Sequence, residues 1–119
     1  MATVIGITTL SLEKEQLRQY VDLIGEAVTS GLGLPSTMKS VTLLQVPQEA
    51  STPKPYGLIT FFAFSAPNKP VEAKRRMSAQ VQQATDSFFG PGQVRTVVII
   101  KEHTDENVGV GGVLRADAQ

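Results

Sequence analysis

The feature that most constrains this chain is an order of apolar patterns that occurs twice within its 119 residues. Each time, a β-branched apolar run is followed by apolar residues at helical spacing, then by Gly and Pro, then by a second apolar run. Each half therefore predicts a β-α-β unit, which forms a right-handed crossover between parallel strands. We expect one α/β (α+β) domain of tandem β-α-β repeats, with a four-stranded mixed sheet and two helices on one face.

The boundaries follow from the points at which the periodic patterns stop. We expect repeat 1 at about residues 1–47, a linker at 48–55, repeat 2 at about 56–102 and a glycine-rich C-terminal hairpin at 103–119. The linker contains two prolines and no periodic pattern, which is typical of a connection outside the regular elements.

The ends of the first helix are marked by capping and breaking residues. Ser11 is typical of a helix N-cap. Gly31 and Gly33 can end the helix in a left-handed conformation, and Pro35 prevents it from resuming. Pro70 is expected in the first turn of the second helix, where its missing N–H costs nothing.

The two halves can be aligned with each other. Residues 39–45 match 95–101 in pattern at a shift of 56 residues (95 − 39), whereas Ala27 falls opposite Ala84 at a shift of 57 (84 − 27). We therefore expect the loop between helix and second strand to differ by one residue between the halves.

Charge and cysteine content exclude several classes of function. The chain has 11 Lys plus Arg residues and 11 Asp plus Glu residues. It therefore has no excess of positive charge with which to bind nucleic acid or an anionic membrane. The chain has no Cys, which excludes thiolate nucleophiles and disulfides and fits a cytoplasmic location. We expect no metal and no cofactor, because His103 is the only histidine and one imidazole cannot hold a metal alone. His103 is interpreted as a surface or interface residue.

The C-terminal segment is unusually rich in glycine. Three glycines, Gly109, Gly111 and Gly112, follow Asn107 within a run that also contains valines. Such a run is typical of backbone at positive φ or in close approach to another chain. An isolated apolar hairpin is unstable in water, so we expect these residues to contact a neighbouring subunit.

With this ending, the chain resembles the tautomerase superfamily, whose small members often end in Asn, an apolar or aromatic residue, and Gly-x-Gly-Gly. Here residues 107–112 fit that ending, with Val108 in place of the usual aromatic. Fused members are built from two β-α-β units of this size. The resemblance implies a homotrimer, with the sheets lining a central barrel.

The resemblance also implies a chemistry that rests on an amino-terminal proline, which acts as a base because burial lowers the pKa of its amine. Here position 2 is Ala2. If Met1 is removed, the amine of Ala2 could take that place, and the protein would be an isomerase that moves a proton on a small keto or enol carboxylic acid. The implied partner is then a small-molecule carboxylate.

Family members hold the substrate carboxylate with cationic side chains. The family's arginine in the loop after the first strand has no counterpart in the first half, but Lys69 lies in the matching loop of the second half. Lys39 and Arg95 lie two residues before the position of a second family arginine, and Tyr56 could supply a hydroxyl at the pocket mouth. We expect these four residues to bind substrate.

Two alternatives remain open at this point. Because the proline is missing, the chain could be a non-catalytic oligomeric member with a binding or structural role. It could also be a ferredoxin-like domain that binds a small molecule. Strand order separates the last alternative from the others, since the two strands of each half are adjacent and parallel only in the tautomerase sheet.

Overall fold

The computed structural model describes residues 2–118. It contains a strand, a helix and a strand in each half, followed by a short hairpin. The elements are β1 (Thr3–Thr8), α1 (Lys14–Leu32), β2 (Val41–Gln45), β3 (Gly57–Ser65), α2 (Val71–Phe89), β4 (Val94–Glu102), β5 (Gly109–Val110) and β6 (Val113–Leu114).

The four long strands form one sheet in the order β2-β1-β3-β4. β1 is parallel to β2 and β3 is parallel to β4, whereas β1 and β3 are antiparallel at the centre. The two strands of each half are therefore adjacent and parallel, which confirms the predicted mixed sheet of tandem repeats. This order also excludes the ferredoxin-like alternative.

The repeat is more regular than the sequence alignment indicated. Both helices have 19 residues, and they begin at Lys14 and Val71, which is a shift of 57 (71 − 14). The same shift places Val41 on Val98, and both pack against the core, whereas Val97 lies on the opposite face and is 38% exposed. The 56-residue shift for the last strand is therefore wrong, because a slip of one residue turns every side chain to the other face.

The start of α1 differs from the expectation. The N-cap is Glu13 instead of Ser11, and a capping box joins it to Gln16: each side chain bonds the backbone of the other residue. This reciprocal arrangement satisfies two N–H groups at the start of the helix, which Ser11 could not do two residues earlier.

The two glycines near the end of α1 have different roles. Gly33 ends the helix as predicted, with φ 71° and ψ 31°. Gly31 still belongs to the helix, and a Cβ there would meet the backbone of Met77 in α2. Gly31 therefore lets the two helices approach closely, and Arg76 Nε donates to its carbonyl oxygen at 2.9 Å.

Both helices pack on one face of the sheet and enclose the core. Tyr20, Ile24 and Met77 from the helices are fully buried there, as is Phe61 from β3. The buried Tyr20 hydroxyl is paired with Thr85 Oγ1 at 2.8 Å, so the polar end of this ring has a partner. Burial raises the pKa of Tyr20 to about 12, an effect that the bond to Thr85 partly opposes.

The other face of the sheet, which we call the open face, carries no helix in the described chain. Two rows of neighbouring side chains cross it. The rows are Thr42, Ile5, Phe62 and Ile99, and Leu44, Ile7, Thr60 and Val97. Several of these apolar side chains are exposed, Leu44 to 48% and Ile99 to 42%. A continuous apolar surface of this kind is typical of a protein contact.

The C-terminal segment forms an exposed hairpin of β5 and β6, in which Gly109 pairs with Leu114. Its turn contains Gly111 at φ 61° and Gly112 at φ 86°, backbone conformations that favour glycine. Neither helix of the described chain is long and apolar enough to cross a membrane.

Candidate functional site

Ala2 lies at the start of β1 and is 1% exposed. Its position follows from the central antiparallel pairing: the register that joins Thr3 to Phe64 places Ala2 next to Ser65, which is also buried. Ala2 therefore lies beside the carboxyl end of β3. Met1 lies outside the described residues.

Lys69 and Glu102 lie at this same end of the sheet. Lys69 is in the loop after β3, and its backbone N–H donates to Glu102 Oε2 at 3.3 Å. The ammonium of Lys74 takes the other carboxylate oxygen at 3.1 Å and, with Lys69, holds the pKa of Glu102 below its usual value. Within residues 2–118 the ammonium of Lys69 has no acidic partner.

His103 completes this group. Its backbone N–H donates to the carbonyl oxygen of Ser65 at 3.0 Å, which fixes it beside the end of β3. Its Nδ1 is buried, and no other group in the described part of the chain hydrogen-bonds to it. We call Ala2, Ser65, Lys69, Glu102 and His103 the amino-terminal site.

Lys39 lies at the same end of the sheet but is turned toward α1. Its ammonium is 2.8 Å from Asp22 Oδ1 and 2.8 Å from Glu26 Oε1. Hydrogen bonds to Asp22 and then to Glu26 raise the pKa of Lys39. Its aliphatic stem packs on Gly25. Two carboxylates thus neutralise this lysine, and its role in substrate binding stays a prediction.

Tyr56 and Arg95 lie at the opposite end of the sheet. The guanidinium carbon of Arg95 is 4.2 Å from the centre of the Tyr56 ring, a cation–π contact. Ala2 and Thr8 are six residues apart on one extended strand, so the two ends of β1 are about 20 Å apart. The predicted site residues are therefore divided between two places.

A groove of about 710 Å³ lies beside Tyr56, between the linker and the end of the open face. We call it the linker groove. It is lined by Ile7, Thr8, Thr9, Leu10, Val46, Gln48, Glu49, Ser51, Thr52, Pro53, Lys54, Tyr56, Gly57, Leu58, Thr60 and Phe62. Thr8 fixes one wall, because its Oγ1 donates to the carbonyl oxygen of Leu58 at 2.9 Å and accepts the N–H of Leu10 at 3.1 Å.

The predicted contact residues of the C-terminal segment are exposed. Asn107 Nδ2 donates to Thr104 Oγ1 at 3.1 Å, and the three glycines form the turn and first strand of the hairpin. Their contact with another subunit stays a prediction. In residues 2–118, no group of three or more His, Asp or Glu side chains could hold a metal ion.

A comparison of the chain with models of protein families identifies the family to which it belongs. The family model described as tautomerase enzyme matches residues 58–118, more than half of the chain. This chain belongs to the tautomerase family. The predicted resemblance is thereby confirmed, and the mixed sheet with adjacent parallel pairs is the arrangement expected of a fused family member.

Solved structures of tautomerase relatives support the same fold. Native fused 4-OT is 19% identical, covers 98% of each chain and has a TM-score of 0.84. R7 fused 4-OT, described as an asymmetric trimer, is 19% identical over 96% of each chain, with a TM-score of 0.82. FG41 malonate semialdehyde decarboxylase is 16% identical over 92% of this chain and 88% of its own, with a TM-score of 0.76. No curated protein matches the chain.

The sequence interpretation of this tautomerase family member missed Ser65, Glu102 and the linker groove, and it assigned His103 to the surface or an interface. At a shift of 57 residues His103 falls opposite Val46 (103 − 46), and the two make equivalent backbone bonds, from His103 to Ser65 and from Val46 to Thr8. The 56-residue alignment of the strands concealed this correspondence.

Proposed function

We propose that this tautomerase family member moves a proton on a small keto or enol carboxylic acid, with the amine of Ala2 as the base once Met1 is removed. The observation that carries the proposal is the burial of Ala2, 1% exposed, at the end of the sheet where Lys69 also lies. Burial disfavours the charged form of an amine, which is the physical reason for proposing the neutral amine of Ala2 as a base at this position.

The proposed reaction is balanced without any further group. The neutral amine removes the hydroxyl proton of the enol, the carbonyl forms, and the electrons of the C=C bond take a proton at carbon from the resulting ammonium. The amine is regenerated, and substrate and product are isomers. A base whose pKa lies near the working pH is suited to both steps.

Lys69 is the residue proposed to hold the substrate carboxylate. Glu102 binds the backbone N–H of Lys69 and the ammonium of Lys74, so Lys74 is already neutralised whereas the Lys69 ammonium has no acidic partner among the described residues. A charge-assisted hydrogen bond from Lys69 would orient the substrate toward the amine.

We further propose that the protein is a homotrimer in the cytoplasm. The exposed apolar rows of the open face support an assembly, since exposed patches of this kind mark protein contacts. R7 fused 4-OT, which has the same fold, is described as a trimer. The hairpin with Gly109, Gly111 and Gly112 is proposed to contact the neighbouring subunit. The cytoplasmic location rests on the absence of cysteine.

The test combines the intact mass of the untagged protein with its rate of tautomerisation of an enol-form arylpyruvate. We expect loss of Met1, a measurable rate, and loss of that rate when the α-amine is blocked. Lys69→Gln should raise KM about tenfold because it removes a charge-assisted bond to the carboxylate. Lys101→Gln, an exposed lysine of β4, is the matched control and should leave KM unchanged. A retained Met1 with no rate above buffer contradicts the proposal.

The second candidate is a non-catalytic oligomeric member with a binding or structural role. The observation that favours it is Ala2 in place of the family's proline. A trimer in light scattering, together with no tautomerase rate, would favour this candidate over the enzyme.

A further inference from the structure

We propose that the linker groove is a second ligand site, which binds a small planar monocarboxylate with an apolar body. The groove lies at the end of the sheet opposite Ala2, and its volume of about 710 Å³ falls within the range of small-molecule sites. The proposal concerns binding alone and stands whether or not the protein is an enzyme.

The internal repeat explains why a pocket lies at this place. The shift of 57 residues maps Thr8 and Val46 of the groove onto Ser65 and His103 of the amino-terminal site. The backbone bonds correspond as well: Val46 N–H donates to Thr8 at 2.9 Å, and His103 N–H donates to Ser65 at 3.0 Å. The groove is thus the counterpart, in the other half of the sheet, of the site at Ala2.

The groove differs from its counterpart in one decisive respect. The position that corresponds to Ala2 is Ile59 (59 − 2 = 57), which lies inside β3 and is fully buried. Its nitrogen is a backbone amide and has no basic lone pair. The groove can therefore bind a ligand but has no amine base with which to convert it.

The apolar part of the groove suits a flat ring. Leu10, Leu58 and Phe62 lie on its walls, with Tyr56 at one end. Aromatic and aliphatic walls of this kind favour a planar apolar body, because a ring buries a large area against them. Thr8 bonds to both Leu58 and Leu10, so the walls are held in place before a ligand enters.

The charges at the groove favour a single carboxylate. Lys54 lines the groove, and Arg95 is held over the Tyr56 ring beside it. Neither cation has an acidic partner in the part of the chain described, residues 2–118. Glu49 also lines the groove and would repel a second negative charge. One carboxylate is therefore favoured over two.

The test uses phenylacetate as the probe, because it has an aromatic ring and one carboxylate and cannot tautomerise to an enol acid at neutral pH. Amide chemical shifts of the full-length protein are followed during titration. We expect saturable changes at the amides of Thr9, Leu10, Ser51, Thr52 and Lys54. Changes confined to the amides of Ala66, Asn68 and Lys69 would place the probe at the amino-terminal site and overturn the proposal.

Matched variants separate the two sites. Arg95→Gln should weaken phenylacetate binding about tenfold, because one charge-assisted bond is lost. Lys101→Gln lies on the same face of β4, at its other end, and should bind as the unchanged protein does. Lys69→Gln should keep the full shift changes at the groove amides, because Lys69 lies at the other end of the sheet. Loss of the groove changes in Lys69→Gln but not in Arg95→Gln, or no groove changes at 10 mM probe (a binding free energy weaker than about −2.7 kcal/mol), would refute the second site.

Discussion

Replacing Gly31 by Ala tests whether the close packing of α1 against α2 requires the absence of a side chain at residue 31. Gly31 lies inside α1 at its contact with α2. A Cβ added there would be 2.7 Å from Met77 Cβ and 2.9 Å from Met77 N. Carbon atoms in good contact are about 3.5–4.0 Å apart. Because Met77 presents its backbone, no side chain can turn away, and the helices must separate by about 1 Å.

The expected magnitude follows from three opposing effects. Overpacking a close contact costs about 1–3 kcal/mol, and the rigid backbone places this site in the upper part of that range. Displacing the helices also weakens the bond from Arg76 Nε to the Gly31 carbonyl, which contributes about 1 kcal/mol. Ala stabilises a helix over Gly by about 1 kcal/mol, which offsets part of the loss. We expect Gly31→Ala to lower the free energy of unfolding by about 2 kcal/mol.

The assay is urea unfolding followed by circular dichroism, at one protein concentration, because the stability of an oligomer depends on concentration. Gly25→Ala is the matched control in the same helix. The three atoms nearest to a Cβ at Gly25 all belong to the side chain of Lys39, the closest at 2.9 Å, and that flexible chain can move. Gly25→Ala should therefore change stability by less than about 1 kcal/mol. If Gly31→Ala is as stable as Gly25→Ala, the close helix contact does not limit stability.

Four further predictions concern single groups in the fold. Tyr20→Phe should cost about 1–3 kcal/mol, because it leaves the buried Thr85 hydroxyl without its cross-helix partner. The pKa of Tyr20 is raised to about 12 from 10.0, so between these values the unfolded state loses the proton more readily than the folded state. The free energy of unfolding of the unchanged protein should therefore be unaffected by Tyr20 below pH 10 and should fall between pH 10 and 12. A flat profile in alkaline urea titrations would contradict this expectation. Gln82→Ala should lower stability by about 1–3 kcal/mol, whereas exposed Gln83→Ala should not, because Gln82 alone bonds two backbone groups of β4; equal melting temperatures would refute the difference. Ile99→Lys should convert trimers to monomers in light scattering with the circular dichroism spectrum retained, and an unchanged mass would show that the open face is not the interface.

The candidate site could be anticipated only in part. Lys69 was found from its place in the loop after a strand, a local feature that the repeat pattern reveals. Lys39 and Arg95 were treated as equivalent, yet Lys39 faces α1 and its carboxylates whereas Arg95 lies on the open face beside Tyr56. An error of one residue in the alignment of the two halves was sufficient to exchange the core face and the open face of the sheet, because strand side chains alternate with period two.

The amino-acid sequence by itself determined the order of elements, the C-terminal end of the first helix and the tandem repeat, since apolar periodicity, Gly33 and the prolines act over a few residues. Only the tertiary structure decided which residues lie beside the ends of those strands and helices. The antiparallel register of β1 and β3 brings Ala2 to Ser65 and Thr8 to Ile59. The repeated unit therefore forms two separate regions, the amino-terminal site at one end of the sheet and the linker groove at the other. Such strand pairings join residues more than 50 positions apart, and their register is set by which side chains the sheet buries against the two helices, which no local pattern encodes.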